Sequence, residues 1–313
     1  MAKLGRTGIE IHPLVLGTNT FGWTTGEAEA HRVLDAFADA GGTLVDTADA
    51  YSAWAPGNSG GESETVIGSW LARNRDRLLI ATKVSQHPEY KGLSAANVKA
   101  AAEASLKRLR TDAIDVYYAH FDDAETPLEE TVAAFDALVT DGKVKHVAVS
   151  NYSPERLREW LDITERTGAA RPVALQPKYS LVSRATFEPG LRDIAVAEDL
   201  SVFPYHALAS GFLTGKYRTE ADLERSVRGG SAGKNLNPAG LAIIERLDEI
   251  AQDRGTAIAS VALAWARSRP GIAAPIAGAR ELDQLAPLLA SAELELTQEE
   301  AESLTALSDA FGA

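Results

Sequence analysis

Short runs of β-branched and aliphatic residues alternate along this chain with stretches of about ten to fifteen residues at helical spacing. Most of the short runs are continuously apolar, which is typical of parallel strands covered on both faces. We therefore predict eight strands, each followed by a helix. In chain order the predicted strands are Leu14–Thr18, Thr43–Asp46, Leu78–Val84, Ile114–His120, Val144–Asn151, Val173–Gln176, Ser201–Tyr205 and Ile272–Ile276.

Several helices begin at recognisable capping sequences. Thr126–Glu129 combines an N-cap threonine, a proline at the first helical position and a glutamate that can close a capping box. Ser153-Pro154 and Asn237-Pro238 repeat the cap and the proline, and Thr297–Glu300 is another capping box, which begins a helix at the C-terminal end. The helix after Thr126 is expected to bury one face, which carries Leu128, Val132, Phe135 and Val139.

Eight strands that each precede a helix favour an α/β fold of the (β/α)8 TIM-barrel type over an open doubly wound sheet. No linker or shift in composition divides the chain, so we expect one domain over residues 1–313. The turn-rich segment Leu4–Ile11 is expected to form a β-hairpin under the barrel. The polar, glycine-rich stretch Arg218–Asn237 predicts a long loop, and such loops are usually functional or mobile.

Composition excludes several classes of protein. The chain carries 31 basic and 44 acidic residues, a net charge of −13, which argues against a nucleic-acid binder. With 45% hydrophobic and 24% charged residues it has the balance of a globular protein rather than a disordered one. The longest apolar run, Val261–Ala266, is far shorter than a membrane helix requires, so we expect no membrane partner.

The chain contains no cysteine, which excludes disulfides, a thiol nucleophile and cysteine-ligated zinc. Its first residues lack the apolar core of a signal peptide, so we expect a cytoplasmic protein.

Three familiar motifs are either absent or occur in a context that does not suit their function. The dinucleotide fingerprint G-x-G-x-x-G is absent, and Gly211–Lys216 is followed by Tyr217 at the wrong spacing for a phosphate-binding loop. Gly57–Gly61 matches G-x-S-x-G, but the preceding Ala53–Pro56 is not the strand that a serine nucleophile elbow needs.

A metal-dependent barrel hydrolase is an alternative function, because His120, Asp122, Asp123 and His206 lie at strand ends. Neither H-x-H nor H-E-x-x-H occurs, however, and two-histidine sets are the usual core of metal sites. We predict no metal and read the two aspartates as a solvated turn.

Four ionisable residues form a coherent set at the ends of neighbouring strands. Asp46, Lys83 and His120 end apolar runs, and Tyr51 lies five residues beyond Asp46. Taken singly, each has a structural explanation as a cap, a solvated strand end, a core histidine or loop packing. In a barrel, consecutive strand ends meet on the C-terminal face, where active sites lie. We therefore expect the four side chains to lie within a few ångströms of one another.

The chemistry of the set is that of a proton donor for a carbonyl oxygen. The Lys83 ammonium is expected to lower the pKa of the Tyr51 phenol, and Asp46 to hold that ammonium in place. His120 is expected to donate a hydrogen bond to the substrate oxygen. Because no side chain supplies hydride, a nicotinamide cofactor is implied.

The residues resemble the aldo-keto reductase family over nearly the whole chain. The motifs that carry this resemblance are Leu16–Thr18, Asp46–Tyr51, Gly61–Glu64, Ala81–Lys83, Tyr118–His120, Gly142–Val144, Val149–Asn151, Gln176–Tyr179, Gly211–Tyr217 and Gly278–Arg280. The resemblance implies that Asp46, Tyr51, Lys83 and His120 are the catalytic tetrad, with Tyr51 as the general acid. It also implies NADPH, bound across the barrel mouth without a glycine fingerprint.

The same resemblance implies the residues that bind the cofactor. Ser150, Asn151 and Gln176 would bond the carboxamide, Tyr205 would stack on the nicotinamide, and the segment from Tyr205 to Ser210 would surround the pyrophosphate. Lys216, Arg228, Arg280 and Gln284 would contact the anionic groups and the adenosine ribose, and arginine suits a 2′-phosphate. The remaining contacts of this set are Gly17, Thr18, Asp46, His206, Leu208 and Gly278.

Four positions depart from the family pattern or lie in a variable stretch. His206 replaces a serine that follows the stacking tyrosine in many relatives, and Pro287 and Leu288 stand where a glutamate and an asparagine are usual. Arg228 lies in the glycine-rich stretch, and a plain surface arginine is its alternative.

The sequence thus predicts an NADPH-dependent reductase of aldehydes or ketones. Trp23, Trp54, Tyr90 and Phe121 are expected in loops near the substrate, with mere loop packing as the alternative. The main alternative function is a non-catalytic or slow NADPH-binding regulatory module that resembles potassium-channel beta subunits.

Overall fold

A barrel of eight parallel strands lies at the centre of the molecule, which is described by a computed structural model for residues 1–224 and 226–312. The strands are β1 (Ala2–Lys3), β2 (Glu10–Ile11), β3 (Val15–Gly17), β4 (Leu44–Asp46), β5 (Leu79–Val84), β6 (Gln86–His87), β7 (Tyr90–Lys91), β8 (Ile114–Ala119), β9 (Val144–Ser150), β10 (Pro172–Gln176), β11 (Ser201–Val202) and β12 (Ile276–Ala277). Strands β3, β4, β5 and β8 to β12 form the barrel, which confirms the predicted fold class.

The barrel strands pair in the order β11-β10-β9-β8-β5-β4-β3-β12. A parallel bridge between Val202 and Ile272 closes the ring, and the Ala273 amide donates to the Val202 carbonyl at 2.9 Å. Every barrel pairing is parallel, so the carboxyl ends of all the strands meet on one face.

Helices surround the barrel. They are α1 (Glu27–Asp39), α2 (Glu62–Asn74), α3 (Ala95–Leu109), α4 (Leu128–Thr140), α5 (Pro154–Thr167), α6 (Leu191–Ala197), α7 (Glu220–Leu223), α8 (Gly229–Gly233), α9 (Pro238–Arg254), α10 (Ile258–Arg267), α11 (Leu285–Ala290) and α12 (Gln298–Gly312). Short 3-10 segments cover Gly5–Thr7, Arg75–Arg77, Ala209–Thr214 and Leu282–Gln284.

The predicted end strands are shorter than expected because proline interrupts them. The seventh barrel strand, predicted over Ser201–Tyr205, ends at Val202, two residues before Pro204. The eighth, predicted over Ile272–Ile276, is regular only at Ile276–Ala277, and Ile272 forms an isolated bridge. Pro275 lies between Ile272 and Ile276, and a proline has no N–H to donate to the ladder.

Three of the four predicted caps are confirmed. The Ser153 hydroxyl accepts from the Arg156 amide, Asn237 accepts from the Gly240 amide, and Thr297 caps α12 by accepting from the Glu300 amide. The prediction for Thr126 is wrong. Its hydroxyl donates to Asp123 Oδ2 at 2.8 Å, and α4 begins after Pro127 without a side-chain cap.

Two hydrophobic layers position the strand ends. Alternate strand residues, among them Val15, Leu44 and Val116, fill the barrel interior, and the opposite faces pack against the helices. Leu4 and Ile11 belong to the interior cluster. The predicted hairpin, formed by β1 and β2, therefore closes the N-terminal end of the barrel and leaves the opposite face open.

Candidate active site

The four ionisable residues meet at the carboxyl face of the barrel. Asp46 ends β4, Lys83 lies near the end of β5, and His120 directly follows β8. The loop after β4 stays close to β5, because the amides of Thr47 and Asp49 donate to carbonyls of that strand. This anchoring holds Tyr51 beside the strand end.

The Lys83 ammonium is the centre of the group. It is fully buried, and its nitrogen donates to Asp46 Oδ2 at 2.7 Å, to the Thr47 carbonyl at 2.6 Å and to the Tyr51 hydroxyl at 3.0 Å. An ammonium has three N–H donors, and all three are used here. Burial lowers the pKa of Lys83, and Asp46 opposes this by favouring the charged form. The pairing with Asp46 is what a buried cation requires.

The expected lowering of the Tyr51 pKa is wrong for this arrangement. Burial raises the pKa of Tyr51 well above its ordinary value, and the charge and hydrogen bond of Asp46 add to that effect. The hydroxyl lies 3.4 Å from Asp46 Oδ2, a long hydrogen bond, and accepts a closer one from Lys83. Tyr51 is therefore a protonated phenol whose own donated hydrogen bond is long.

His120 lies beside the phenol as a neutral imidazole. The two ring centroids are 6.2 Å apart, and burial together with the nearby Lys83 charge holds the pKa of His120 well below its ordinary value. Its Nδ1 is buried and has no hydrogen-bond partner among the described residues. A neutral imidazole keeps one N–H donor and one acceptor for a substrate.

The residues predicted to hold the carboxamide form a hydrogen-bonded network around this group. Gln176 donates to Asp46 Oδ1 at 2.8 Å, and the Ser150 hydroxyl donates to the Gln176 carbonyl. Asn151 donates to the His120 carbonyl at 2.9 Å and accepts from the Tyr205 hydroxyl at 2.8 Å. The network connects Asp46 with His120 and Tyr205, so these residues also position the tetrad.

A cavity of about 650 Å³ opens directly above the group. Tyr51 and Asp46 line it. The other predicted cofactor residues that line it are Gly17, Thr18, Tyr205, His206, Leu208, Ser210, Lys216, Arg228, Gly278, Arg280 and Gln284. The structure thus gathers twelve of the fifteen predicted positions, counting Asp46, around one cavity, and the other three form the network beneath it.

Three cations face this cavity. Lys216, Arg228 and Arg280 line it, and within the described part of the chain none of them forms an ion pair with a carboxylate. Burial lowers the pKa of Arg228, and the neighbouring charge of Arg280 lowers it further. Arg228 donates to Asn19 Oδ1 at 2.7 Å, so it is held at the cavity rather than free on the surface. Unpaired, mutually repelling cations form a site for an anionic ligand.

The loop after Tyr205 lines the cavity in an unusual conformation. His206, Ala209 and Ser210 have positive φ angles of 63°, 49° and 58°, which are uncommon outside glycine. Strain of this kind clusters at ligand sites. Burial and the nearby Lys178 and Arg228 lower the pKa of His206 to about 4, so its imidazole is neutral.

Part of the cavity wall is apolar. Gln284 Oε1 accepts from the Arg280 amide at 3.1 Å, and Pro287 and Leu288 complete the wall. Pro287 and Leu288, like His206, depart from the family pattern, so all three departures lie at the cavity itself.

The structure separates the four aromatic residues predicted near the substrate. Trp23 and Trp54 line the cavity, and Phe121 contacts the His120 ring at 5.0 Å. Tyr90 packs on His87 with ring centroids 5.0 Å apart in the β6-β7 hairpin, and neither Tyr90 nor Phe121 is among the residues that line the described cavity. The placement of Tyr90 and Phe121 near the substrate stays a prediction.

Sequence reasoning missed some residues of the cavity. Asn19 lines it directly after the motif Leu16–Thr18, and this proximity was a usable signal. Ser226, Val227 and Ser231 come from the glycine-rich stretch, while Ala257–Ala259 lie at the start of α10. These small residues carry no sequence signal of their own, because backbone placement alone brings them to the wall.

The residues behind the alternative functions have other partners. Asp122 accepts two hydrogen bonds from Arg156, and Asp123 accepts from the Leu93 amide and from Thr126. Among the described residues no group of three or more His, Asp or Glu side chains could hold a metal ion. Ser59 lies in the loop before α2. None of the helices in the described ranges is long and apolar enough to cross a membrane.

Comparison with known proteins yields a consistent set of relatives. The model of the Aldo/keto reductase family matches residues 13–309. The chain is 34% identical to the uncharacterized oxidoreductase YrpG of Bacillus subtilis, over 98% of this chain and 94% of that protein. It is 32% identical to a probable voltage-gated potassium channel subunit beta of Oryza sativa, over 90% and 88%. It is 28% identical to an NADP(+) aryl-alcohol dehydrogenase of Phanerodontia chrysosporium, over 96% and 86%.

Proposed function

The chain belongs to the aldo/keto reductase family, and from this premise we propose that it reduces aldehydes or ketones to alcohols, using NADPH and Tyr51 as the proton donor. The observation that carries the proposal is the geometry of Lys83, whose three hydrogen bonds join the Tyr51 hydroxyl to Asp46 in a buried site. Members of this family generally use a nicotinamide cofactor, which supplies hydride to the carbonyl carbon when it is bound.

The cavity fits such a cofactor by charge. Lys216, Arg228 and Arg280, which have no carboxylate partner in the described part of the chain, offer three cations to a ligand that carries a pyrophosphate and a third phosphate. Tyr205, held by Asn151, would contact the nicotinamide end, next to Tyr51. The relative from Phanerodontia chrysosporium is named for NADP(+), which agrees with this assignment.

The proton step follows from the bonds of Tyr51. Its hydroxyl lines the cavity, and its own hydrogen bond to Asp46 is long, so the proton can be given to a substrate oxygen. The phenolate left behind would lie 3.0 Å from the Lys83 ammonium. Asp46 and the Thr47 carbonyl fix that ammonium before the reaction, so little reorganisation is needed when charge develops. The neutral His120 would orient the same oxygen.

The test is the variant Tyr51→Phe, which removes the hydroxyl and keeps the ring. We expect kcat for an activated aldehyde such as nitrobenzaldehyde to fall at least about a thousandfold, since proton donation and the phenolate site are both lost. The dissociation constant of NADPH, measured by fluorescence, should change little. Equal rates for the variant and the wild type would overturn the assignment of Tyr51.

A second candidate is supported by the relative from Oryza sativa, which is named as a potassium channel subunit. In that case the protein would bind NADPH and turn over slowly or not at all. The complete tetrad favours the enzyme. NADPH binding without carbonyl reduction by the wild-type protein would favour the regulatory module.

A further inference from the structure

One part of the cavity wall is built from apolar side chains at the ends of two helices. We call it the apolar wall, and its residues are Ala257, Ile258, Ala259, Pro287 and Leu288. The first three lie at the start of α10, and the other two lie in α11. The Ser260 hydroxyl of α10 donates to the Pro287 carbonyl of α11 at 2.6 Å. This bond holds the two helices together, so the apolar wall is one surface.

The apolar wall adjoins two of the cations of the cavity. Gln284, whose Oε1 accepts from the Arg280 amide at 3.1 Å, directly precedes α11. Ile258 packs over Gly215, the neighbour of Lys216, since a Cβ at position 215 would lie 2.5 Å from Ile258 Cδ1. In NADPH the adenine and the 2′-phosphate are attached to the same ribose. A phosphate held by Arg280 therefore brings the base to the apolar wall.

The apolar wall has no free acceptor for the 6-amino group of adenine, which is a hydrogen-bond donor. None of its five side chains is polar. The Pro287 carbonyl accepts from Ser260, and the Leu288 carbonyl accepts from the Ser291 hydroxyl at 2.6 Å. Ala257 at the N-cap of α10 has no side-chain oxygen, and the amides at the start of a helix are donors. Two donors cannot pair with each other.

The described remainder of the cavity offers no free carboxylate or amide oxygen either. Asp46 is the one carboxylate that lines it, and it is bound to Lys83. The amide oxygens of Asn19 and Gln284 each accept from an N–H of an arginine residue. The groups that most often recognise an amino group are therefore already bonded.

We propose that the apolar wall binds the purine ring of the cofactor and does not select the group at C6 of that ring; this rests on the function proposed above. The base would pack against Ile258 and Leu288, and its affinity would come from burial of apolar surface rather than from hydrogen bonds. A site that bonds a polar group strongly rejects an analogue without that group, whereas an apolar surface does not.

The experiment measures dissociation constants by isothermal titration calorimetry for NADP+ and for nicotinamide hypoxanthine dinucleotide phosphate, in which a carbonyl oxygen replaces the 6-amino group. We expect the two constants of the wild type to agree within about threefold. Ile258→Ala should weaken both ligands by the same factor, about threefold to tenfold, because the side chain packs on the ring whichever group it carries. The fragment 2′,5′-ADP, which holds only the adenosine half, should weaken by that factor too.

Leu289→Ala is the matched control. Leu289 is another partly buried apolar residue of α11, but it lies outside the described cavity wall. Its truncation should leave all three dissociation constants at their wild-type values. Thermal melts check that each variant is folded.

Two results would overturn the inference while leaving the proposed function in place. One is a wild-type preference for NADP+ over the hypoxanthine dinucleotide of more than about threefold, because the 6-amino group would then be bonded. The other is an effect of Ile258→Ala no larger than that of Leu289→Ala, because the base would then lie away from the apolar wall. A wild-type protein that binds neither dinucleotide would instead overturn the proposed function.

Discussion

At the scale of single residues, burial decides the protonation states of this site. The sequence places Lys83 near Tyr51, and an ammonium alone would lower the pKa of a phenol. In the structure Tyr51 is also buried and shares Asp46 with Lys83, and both of these raise its pKa. The residue types were therefore predictable, but the direction of the shift was not, because it depends on solvent exclusion that no spacing reveals.

Asp49 is a second buried acid, on the loop that carries Tyr51. It is fully buried, and neither carboxylate oxygen has a hydrogen-bond partner among the described residues. The neighbouring Glu64 instead receives hydrogen bonds from Thr82 and Arg108. Burial and the charge of Glu64 raise the pKa of Asp49 well above its ordinary value. Asp49 therefore binds its proton more tightly than an exposed aspartate does.

This predicts the effect of Asp49→Asn on stability. The folded protein holds the proton of Asp49 where the unfolded chain releases it, above about pH 4, so folding stability falls as pH rises from there towards the folded pKa. Asparagine does not titrate and removes this loss. We expect the variant to be more stable than the wild type at pH 7, by roughly 1.4 kcal/mol for each unit of pKa shift, and no more stable below about pH 4.

Urea unfolding between about pH 4 and pH 8 measures the difference. Asp253→Asn is the control, because Asp253 is an exposed aspartate of α9. A variant at position 49 that is less stable than the wild type at pH 7, or equally pH-dependent, would show that Asp49 is charged in the folded protein.

At the scale of elements, the predicted caps show what a local pattern can and cannot establish. Ser153 and Asn237 cap their helices as predicted. Each side-chain oxygen accepts a hydrogen bond from a backbone amide in the first turn of the helix that follows it. Thr126 has an equally good local sequence, but its hydroxyl donates to Asp123 Oδ2 at 2.8 Å and does not cap the helix. The turn that presents Asp123 is set by its bond to the Leu93 amide, which lies 30 residues away in sequence. A contact of that range leaves no trace in a four-residue motif.

Contacts between helices lead to a prediction for Gly68, in the middle of α2. Helix propensity alone says that alanine there should stabilise the protein by up to about 1 kcal/mol. In the structure a Cβ at position 68 would lie 2.0 Å from the Arg108 carbonyl oxygen at the end of α3, and that backbone cannot move aside cheaply. We therefore expect Gly68→Ala to destabilise the protein by about 1–3 kcal/mol, measured by urea unfolding.

The control for that measurement is Gly26→Ala, at the N-cap of α1, where an added Cβ meets nothing within 4 Å. Its effect should stay below about 1 kcal/mol, because alanine is a poorer N-cap than glycine but meets no steric clash at this position. Stabilisation by alanine at position 68 would mean that α2 and α3 are farther apart than the structure places them.

At the scale of the whole molecule, the strand pattern was enough to predict the barrel but not every boundary. Continuous apolar runs are the signature of strands buried on both faces, and β5, β8 and β9 fall inside their predicted ranges. The barrel closes less regularly, because Pro204 and Pro275 interrupt the ladder and the seam relies on the isolated pair Val202 and Ile272. One domain over residues 1–313 stays a prediction.

The residues at the barrel mouth were predictable where the family resemblance marks them. They were not predictable where the conformation of a loop determines their position. Gly17, Arg280 and Tyr205 lie in marked positions and line the cavity. Tyr90 was expected near the substrate because it follows a strand; it lies in the β6-β7 hairpin against His87 and is not among the residues that line the described cavity. Loop conformation depends on pairings such as this one, which alternation of apolar and polar residues does not encode.

The distribution of charge over the molecule leads to the last prediction. A chain of net charge −13 repels anions in general, yet Lys216, Arg228 and Arg280 face one cavity, and none of them pairs with a carboxylate among the described residues. If these cations bind the phosphates of NADPH, removing one should weaken NADPH more than NADH, which lacks the 2′-phosphate. We expect Arg280→Gln to lower the ratio of kcat/KM for NADPH to that for NADH about tenfold or more.

The dependence of KM on ionic strength is a second test of the role of these cations, because salt screens exposed charges. Raising NaCl from about 0.05 M to 0.5 M should raise KM for NADPH several-fold and KM for NADH less, since NADH carries fewer phosphates. Arg218→Gln is the matched control: Arg218 lies in the same glycine-rich stretch but is paired with Asp248, so its loss should leave the preference unchanged. Equal weakening of both cofactors by Arg280→Gln would place Arg280 at the pyrophosphate, and the preference for NADPH would then need another cation.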